Sequence, residues 1–222
     1  MSNKLALAAL AIAAVAGGAW WTTRGAEPYP ALSMAAVAQE AVTDEQLAMV
    51  PDMVIGQADA PVTIIEYASF TCPHCKNFHD TVFEQLKADY IDTGKVRFVY
   101  REVYFDRYGL WAGMIARCGG EMRYFGITDM IYDTQKDWIG DGEPATVAEN
   151  LRKIGLKAGL SKDQIEVCLN DQTMAEAMVA TYQKNATEHG VNGTPSFVIE
   201  GTTYSNMSYE EMKKILDEKL AN

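Results

Sequence analysis

Val62-Thr63-Ile64-Ile65-Glu66-Tyr67-Ala68-Ser69-Phe70-Thr71-Cys72-Pro73-His74-Cys75-Lys76 is the stretch that decides how this chain folds. Its first half is β-branched and apolar at both odd and even positions, the pattern of a central strand covered on both faces. Its second half reads as a helix start, with Pro73 at the first helical position, where its missing N–H costs nothing. Phe78, Val82, Leu86 and Tyr90 follow at spacings of four and predict one apolar helical stripe against a sheet. Asp92-Thr93-Gly94 is a turn, and Val96 to Val103 reads as a second strand. Strand, helix, strand predicts a right-handed parallel βαβ crossover. Two thiols spaced C-x-x-C at such a strand-to-helix junction suit redox chemistry, although the same spacing can hold half of a metal site.

Outward from this unit the pattern changes. Residues 108–189 read as successive helices, with capping boxes expected at Thr146/Glu149 and Ser161/Gln164. Gly190 is placed to end the last of them. Strand signals return at Ser196 to Glu200 and Thr202 to Tyr204, and Ser208 with Glu211 opens a final amphipathic helix. Upstream, residues 27–54 have no strong periodicity and are expected to form a spacer, with one short helix at Thr43 to Met49. The expected organisation is a signal peptide or anchor over 1–26, the spacer over 27–54, and an α/β domain in two halves, 55–106 and 191–222. A helical insertion over 107–190 separates the halves.

Met1 to Lys4 is short and basic, and Leu5 to Ala16 is an uninterrupted Ala/Leu/Ile/Val run followed by Gly17-Gly18-Ala19-Trp20-Trp21. Small residues after a short apolar run fit a secretory signal. Extended to the Trp pair, the run also reaches the lower limit of a membrane anchor. Both readings export the body of the protein. No cysteine follows this run closely, so a lipid anchor is not expected. The chain has 222 residues, is 48% apolar and 22% charged, and carries a formal net charge of −11. That composition is globular, and so acidic a body repels nucleic acid phosphates. The four cysteines are Cys72, Cys75, Cys118 and Cys168. In an exported protein an even count favours disulfides.

The residues Cys72-Pro73-His74-Cys75, Glu66 six positions before them, the order βαβ, helical insert, ββα, and Gly193-Thr194-Pro195 together resemble the DsbA family of thiol:disulfide oxidoreductases over roughly residues 55–220. The resemblance implies a thioredoxin-like fold with an inserted helical subdomain. It also implies a periplasmic oxidase that needs no metal or organic cofactor. Its substrates would be reduced, unfolded exported proteins, and a membrane DsbB-type oxidase would reoxidise it. A monomer is expected, and residues 27–60 are too short for the N-terminal dimerisation domain of periplasmic isomerases, which argues against an isomerase.

Cys72, at the positive end of a helix, is the expected nucleophile, and Cys75 the more buried resolving thiol. His74 is expected to tune the pair; the plainer reading is a solvated histidine. Glu66 resembles the buried acid that moves protons for the inner cysteine, against a plainer reading as a sheet-edge carboxylate. Thr194, where many enterobacterial members carry valine, and a cis Pro195 are expected beside the sulfurs, offering backbone groups to an extended substrate. Cys118 and Cys168 look like the second cysteine pair of α-proteobacterial members and are expected to be bridged, the alternative being two buried thiols. His79 and His189 are expected to be solvated. Trp111, Tyr124, Phe125, Met130 and Trp138 read as core of the insert. A disulfide isomerase or reductase, a zinc module and a non-catalytic chaperone-like binder remain as other readings of the same residues.

Overall fold

The computed structural model describes residues 43–221. The expected signal or anchor over 1–26 and most of the expected spacer lie outside those residues. A five-stranded mixed sheet runs in the order β1-β3-β2-β4-β5. β2 (Val62–Ala68) and β3 (Val96–Glu102) pair in parallel, with Glu66 opposite Tyr100. β4 (Ser196–Ile199) runs antiparallel on the other side of β2, with Phe197 opposite Glu66. β5 (Thr202–Ser205) returns from β4 through Glu200 and Gly201. Both turn residues have positive φ, 47° and 78°, as a tight hairpin of this hand requires. Glu200 tolerates it while its carboxylate accepts the Thr63 N–H at 2.7 Å.

Part of the expected spacer is structured. The short helix expected over 43–49 is present as α1 (Asp44–Met49), and it opens with a Thr43/Gln46 capping box. β1 (Met53–Ile55) then adds an antiparallel edge to β3. Three residues are too few to show a period of two, which is why the sequence conceals this strand.

The crossover helix α2 spans 73–91. It alternates α-helical turns with π-helical turns at His79–Phe83 and Lys87–Ile91. Side chains spaced by four drift around a 3.6-residue helix, but the wider π turns take up the extra residue. Phe78, Val82, Leu86 and Tyr90 consequently all remain buried against the sheet.

Between β3 and β4 come α3 (Arg107–Cys118), α4 (Glu121–Asp133), α5 (Gln135–Ile139), α6 (Pro144–Lys157), α7 (Lys162–Leu169) and α8 (Gln172–Glu188). α9 (Tyr209–Leu220) closes the chain. The capping boxes at Ser161/Gln164 and Ser208/Glu211 form. The one expected at Thr146/Glu149 does not. α6 starts three residues earlier, with Glu143 as N-cap and Pro144 in the first turn, because a proline preset to helical φ makes the better start. Trp111, Tyr124 and Trp138 are buried in the insert, with Phe125 and Met130 packed partly buried against the same core.

Two cross-links tie the insert together and to the sheet. Cys118 at the end of α3 is disulfide-bonded to Cys168 in α7, 50 residues on, with Cα atoms 5.9 Å apart. Closing a loop of that size in the unfolded chain contributes about 2–4 kcal/mol. The Cys118→Ser/Cys168→Ser variant is expected to lose that much stability in urea unfolding, and an unchanged midpoint would contradict it. The second link is an ion pair. Arg117 of α3 donates from Nε to Glu102 Oε1 at 2.8 Å and from Nη2 to Oε2 at 2.6 Å. Tyr124 of α4 donates to the same carboxylate at 2.8 Å.

Candidate active site

β2 ends at Ala68, and the chain turns through Ser69, Phe70 and Thr71 into α2. Cys72 is the N-cap of that helix, with extended backbone at φ −79° and ψ 119°. Its Sγ accepts the Cys75 backbone N–H at 3.4 Å and lies 3.5 Å from the Thr194 carbonyl oxygen. The peptide bond between Thr194 and Pro195 is cis. Thus the end of the insert returns to the sheet beside a sulfur 122 residues away. Both cysteines of the C-x-x-C are free thiols, Cys72 partly exposed and Cys75 buried.

The two sulfurs differ in acidity. Cys72 is lowered from 9.0 to about 5, chiefly by the hydrogen bond from Cys75, with further help from Thr194 and from the backbone N–H groups of Cys75 and His74, which outweigh partial burial. A helix N-terminus offers unpaired N–H groups to a thiolate in this way. Burial pushes Cys75 the other way, and its hydrogen bond to Cys72 and the Glu66 charge add to the rise. At neutral pH the outer sulfur is therefore an anion and the inner one a protonated thiol.

The remaining expected residues fall around this pair. Pro73 and His74 are exposed on the first turn; His74 reaches Cys72 through its backbone. Glu66 is fully buried in the middle of the sheet and is no edge carboxylate. Its Oε2 lies 3.2 Å from His79 Nε2. His79 is not the solvated side chain the sequence suggests. It is 7% exposed and stacked on Tyr132, with ring centroids 4.3 Å apart. The signal was present, since His79 is four residues beyond Cys75 and so on the same helix face. His189 is half-buried, at the end of α8, where the Tyr67 hydroxyl lies 2.7 Å from its Nδ1. It too is held rather than free in solvent.

The insert grips the active-site turn through groups the sequence does not single out. Gln135 Nε2, on α5, donates to the carbonyls of Phe70 and Cys72 at 2.8 and 3.0 Å. Tyr132 donates to the Ser69 carbonyl at 3.2 Å. Thr71 donates to Asp106 at 2.7 Å, and Asp106 also caps α3. Gln135 is 4% exposed, so Gln135→Leu would leave two carbonyls short of donors. A loss of about 1–3 kcal/mol is expected in urea unfolding, and no loss would show that the grip is redundant. Beside Thr194 and Pro195 a cavity of about 370 Å³ opens between Asn192 and the β5 residues Thr203 to Ser205.

A family model described as thioredoxin matches residues 48–218. A protein of Rickettsia bellii named "Putative protein-disulfide oxidoreductase" is 33% identical over 170 residues, 76% of this chain and 64% of that protein. The chain thus spans under two thirds of the length of that relative. "Disulfide bond formation protein D" of Bacillus subtilis is 24% identical over 178 residues, 75% of this chain and 76% of that protein. The crystal structure of Wolbachia pipientis alpha-DsbA1 superposes with a TM-score of 0.72 at 26% identity, covering 79% of this chain and 96% of that one. The chain belongs to the thioredoxin family, on its DsbA-like branch. The DsbA-like architecture accounts for the grouping seen here, a C-x-x-C at a strand-to-helix junction facing a proline turn before β4. Among the described residues no group of three or more His, Cys, Asp or Glu side chains is placed to hold a metal ion.

Proposed function

We propose that this DsbA-like protein is a thiol:disulfide oxidoreductase that introduces disulfides into exported polypeptides. The observation that carries the reading is the acidity difference between Cys72, lowered to about 5, and the buried Cys75, whose thiol is raised. A sulfur that is stable as a thiolate is a good leaving group, which makes its disulfide easy to reduce. In the oxidised enzyme a substrate thiolate attacks Cys72. The Cys72–Cys75 bond breaks, and its electron pair passes to Cys75, which takes up a proton. The second substrate thiolate then attacks the substrate sulfur of the mixed disulfide, and Cys72 departs as a thiolate. Pro73 and His74 tune the pair from the first turn, His74 through its N–H. Glu66 exchanges the Cys75 proton. Thr194 and Pro195 line the place where an extended substrate segment would lie beside Cys72. Cys118–Cys168 stabilises the insert and takes no electrons.

The apolar N-terminal run supports a periplasmic location, and among the described residues no helix is long and apolar enough to cross a membrane. Reoxidation falls to a membrane quinone-linked oxidase of DsbB type, and the protein acts as a monomer. A reductase or isomerase would use the same sulfurs at a more reducing potential. A chaperone-like binder would use the same surface with no turnover. Oxidation of a reduced dithiol protein separates these readings. Cys72→Ala is expected to abolish turnover. Cys75→Ala, mixed instead with a substrate in its disulfide form, is expected to be caught as a mixed disulfide visible on a non-reducing gel, since the Cys72 thiolate attacks that disulfide, a substrate thiolate leaves, and no Cys75 sulfur is there to displace the substrate. Retained turnover in Cys72→Ala would reject the mechanism, and a Cys72/Cys75 potential near that of thioredoxin would reject the oxidase direction.

A further inference from the structure

The π-helical turn His79–Phe83 sets a side chain that the sulfur chemistry leaves unused. His79 lies among rings, stacked on Tyr132, with Phe83 4.8 Å away and Tyr100 of β3 edge-on at 5.9 Å. On its inner side stands Glu66, whose Oε2 it meets at 3.2 Å. The other oxygen of that carboxyl, Oε1, is buried with no hydrogen-bond partner, a costly placement for a group with only a packing role. The Glu66 charge acts in turn on Cys75.

On its outer side His79 lines a cavity of about 410 Å³. Asp80, Glu84 and Lys87 reach this cavity from the same helix, and Asp129 and Asp133 from α4. Four carboxylates against one ammonium give the mouth a negative field, which concentrates protons. Asp129 is close enough to feel the His79 charge. Cys75, Glu66, His79 and the cavity thus form a succession from the buried sulfur to an acidic opening, and none of the cavity residues lines the one beside Thr194.

We propose that His79 is a positioning residue that passes protons between Glu66 and this acidic cavity whenever Cys75 changes its protonation. The inference rests on the thiol-oxidase reading. During substrate oxidation Cys75 receives the electron pair of the broken disulfide and one proton from Glu66, which His79 replaces from the cavity. During reoxidation an incoming disulfide forms a mixed disulfide with Cys72. Cys75 gives its proton to Glu66, and His79 carries it outward. The Cys75 sulfur then attacks Cys72, and the partner's thiolate leaves with the electron pair. One proton enters and one departs per cycle, and the incoming disulfide is the only oxidant required.

The test isolates the Cys75 step. Reduced protein is mixed with oxidised glutathione, and the rate at which Cys75 expels glutathione from Cys72 is followed against pH by acid quench. His79→Gln keeps a hydrogen-bonding side chain of similar size but carries no proton. It is expected to slow this step at least about tenfold at neutral pH and to flatten its pH dependence. Alkylation of Cys72 by iodoacetamide should stay within about twofold of wild type. His79→Gly should be equally slow and should recover when imidazole is added, through the cavity. A wild-type rate in folded His79→Gln overturns the proposal. A slow His79→Gln with a folded His79→Gly that imidazole fails to rescue also overturns it, since the cavity is then not the exit. If His79→Gly does not fold, the rate and pH profile of His79→Gln decide. Wild-type Cys72 that resists alkylation at neutral pH would instead overturn the oxidase reading, so the two failures are distinguishable.

Discussion

Alkylation of the reduced protein at Cys72 is expected to rise with pH through a midpoint near 5, while Cys75 stays unmodified until the chain unfolds. The midpoint follows from the Cys72 thiol, lowered from 9.0 to about 5 by its hydrogen bonds at the helix start. A stability difference accompanies it. A thiol whose folded value is depressed binds fewer protons in the folded dithiol form than in the unfolded chain, so its contribution grows with pH. It is present in full above about pH 9 and is lost as pH falls through about 5. The disulfide form does not titrate there, so the dithiol form gains on it across the same window. The sulfur is partly exposed, and solvent screening leaves about 1–2 kcal/mol at pH 7. That corresponds to on the order of 30 mV towards the oxidising side. Urea unfolding of both redox forms between pH 5 and 9 measures the trend. A dithiol form that fails to gain stability relative to the disulfide form as pH rises from 5 to 9, or an alkylation midpoint above 8, would remove the basis for an oxidant.

Arg117→Ala is expected to cost about 3–5 kcal/mol, since it leaves Glu102 as an uncompensated buried charge. The two side chains are 9% and 4% exposed. Arg117 also donates to the Pro51 carbonyl at 3.0 Å, so the variant loosens the segment leading to β1 as well. For a domain of this size the loss corresponds to on the order of 10 °C in thermal unfolding followed by circular dichroism. Removing both charges as Glu102→Leu/Arg117→Met is expected to recover most of it, because the desolvation cost disappears with the pair. A drop under about 1 kcal/mol in Arg117→Ala would mean that water reaches Glu102 and that the pair is not a buried one.

Local chemistry determined much of what the chain becomes. The β-branched run before Cys72, the proline after it and the four-residue stripe of α2 specify a strand-to-helix junction without help from distant residues. The capping boxes at Ser161 and Ser208 mark helix starts for the same local reason: side chain and backbone satisfy each other within four residues. The C-x-x-C reads as redox chemistry because it sits at that strand-to-helix junction, whereas the Gly-Thr-Pro turn is legible only through the family resemblance, since most X–Pro bonds are trans. Tertiary structure decided what depends on which faces meet. His79 becomes a buried partner of Glu66 because a π turn directs it at the centre of the sheet. Gln135 reaches Phe70 and Cys72 because the insert folds back over the active-site turn. Arg117 meets Glu102 across a helix-to-strand contact that no periodicity announces. A sequence lists these polar side chains one by one. Burial makes each of them costly unless it finds its partner, and the partner lies far away in the chain.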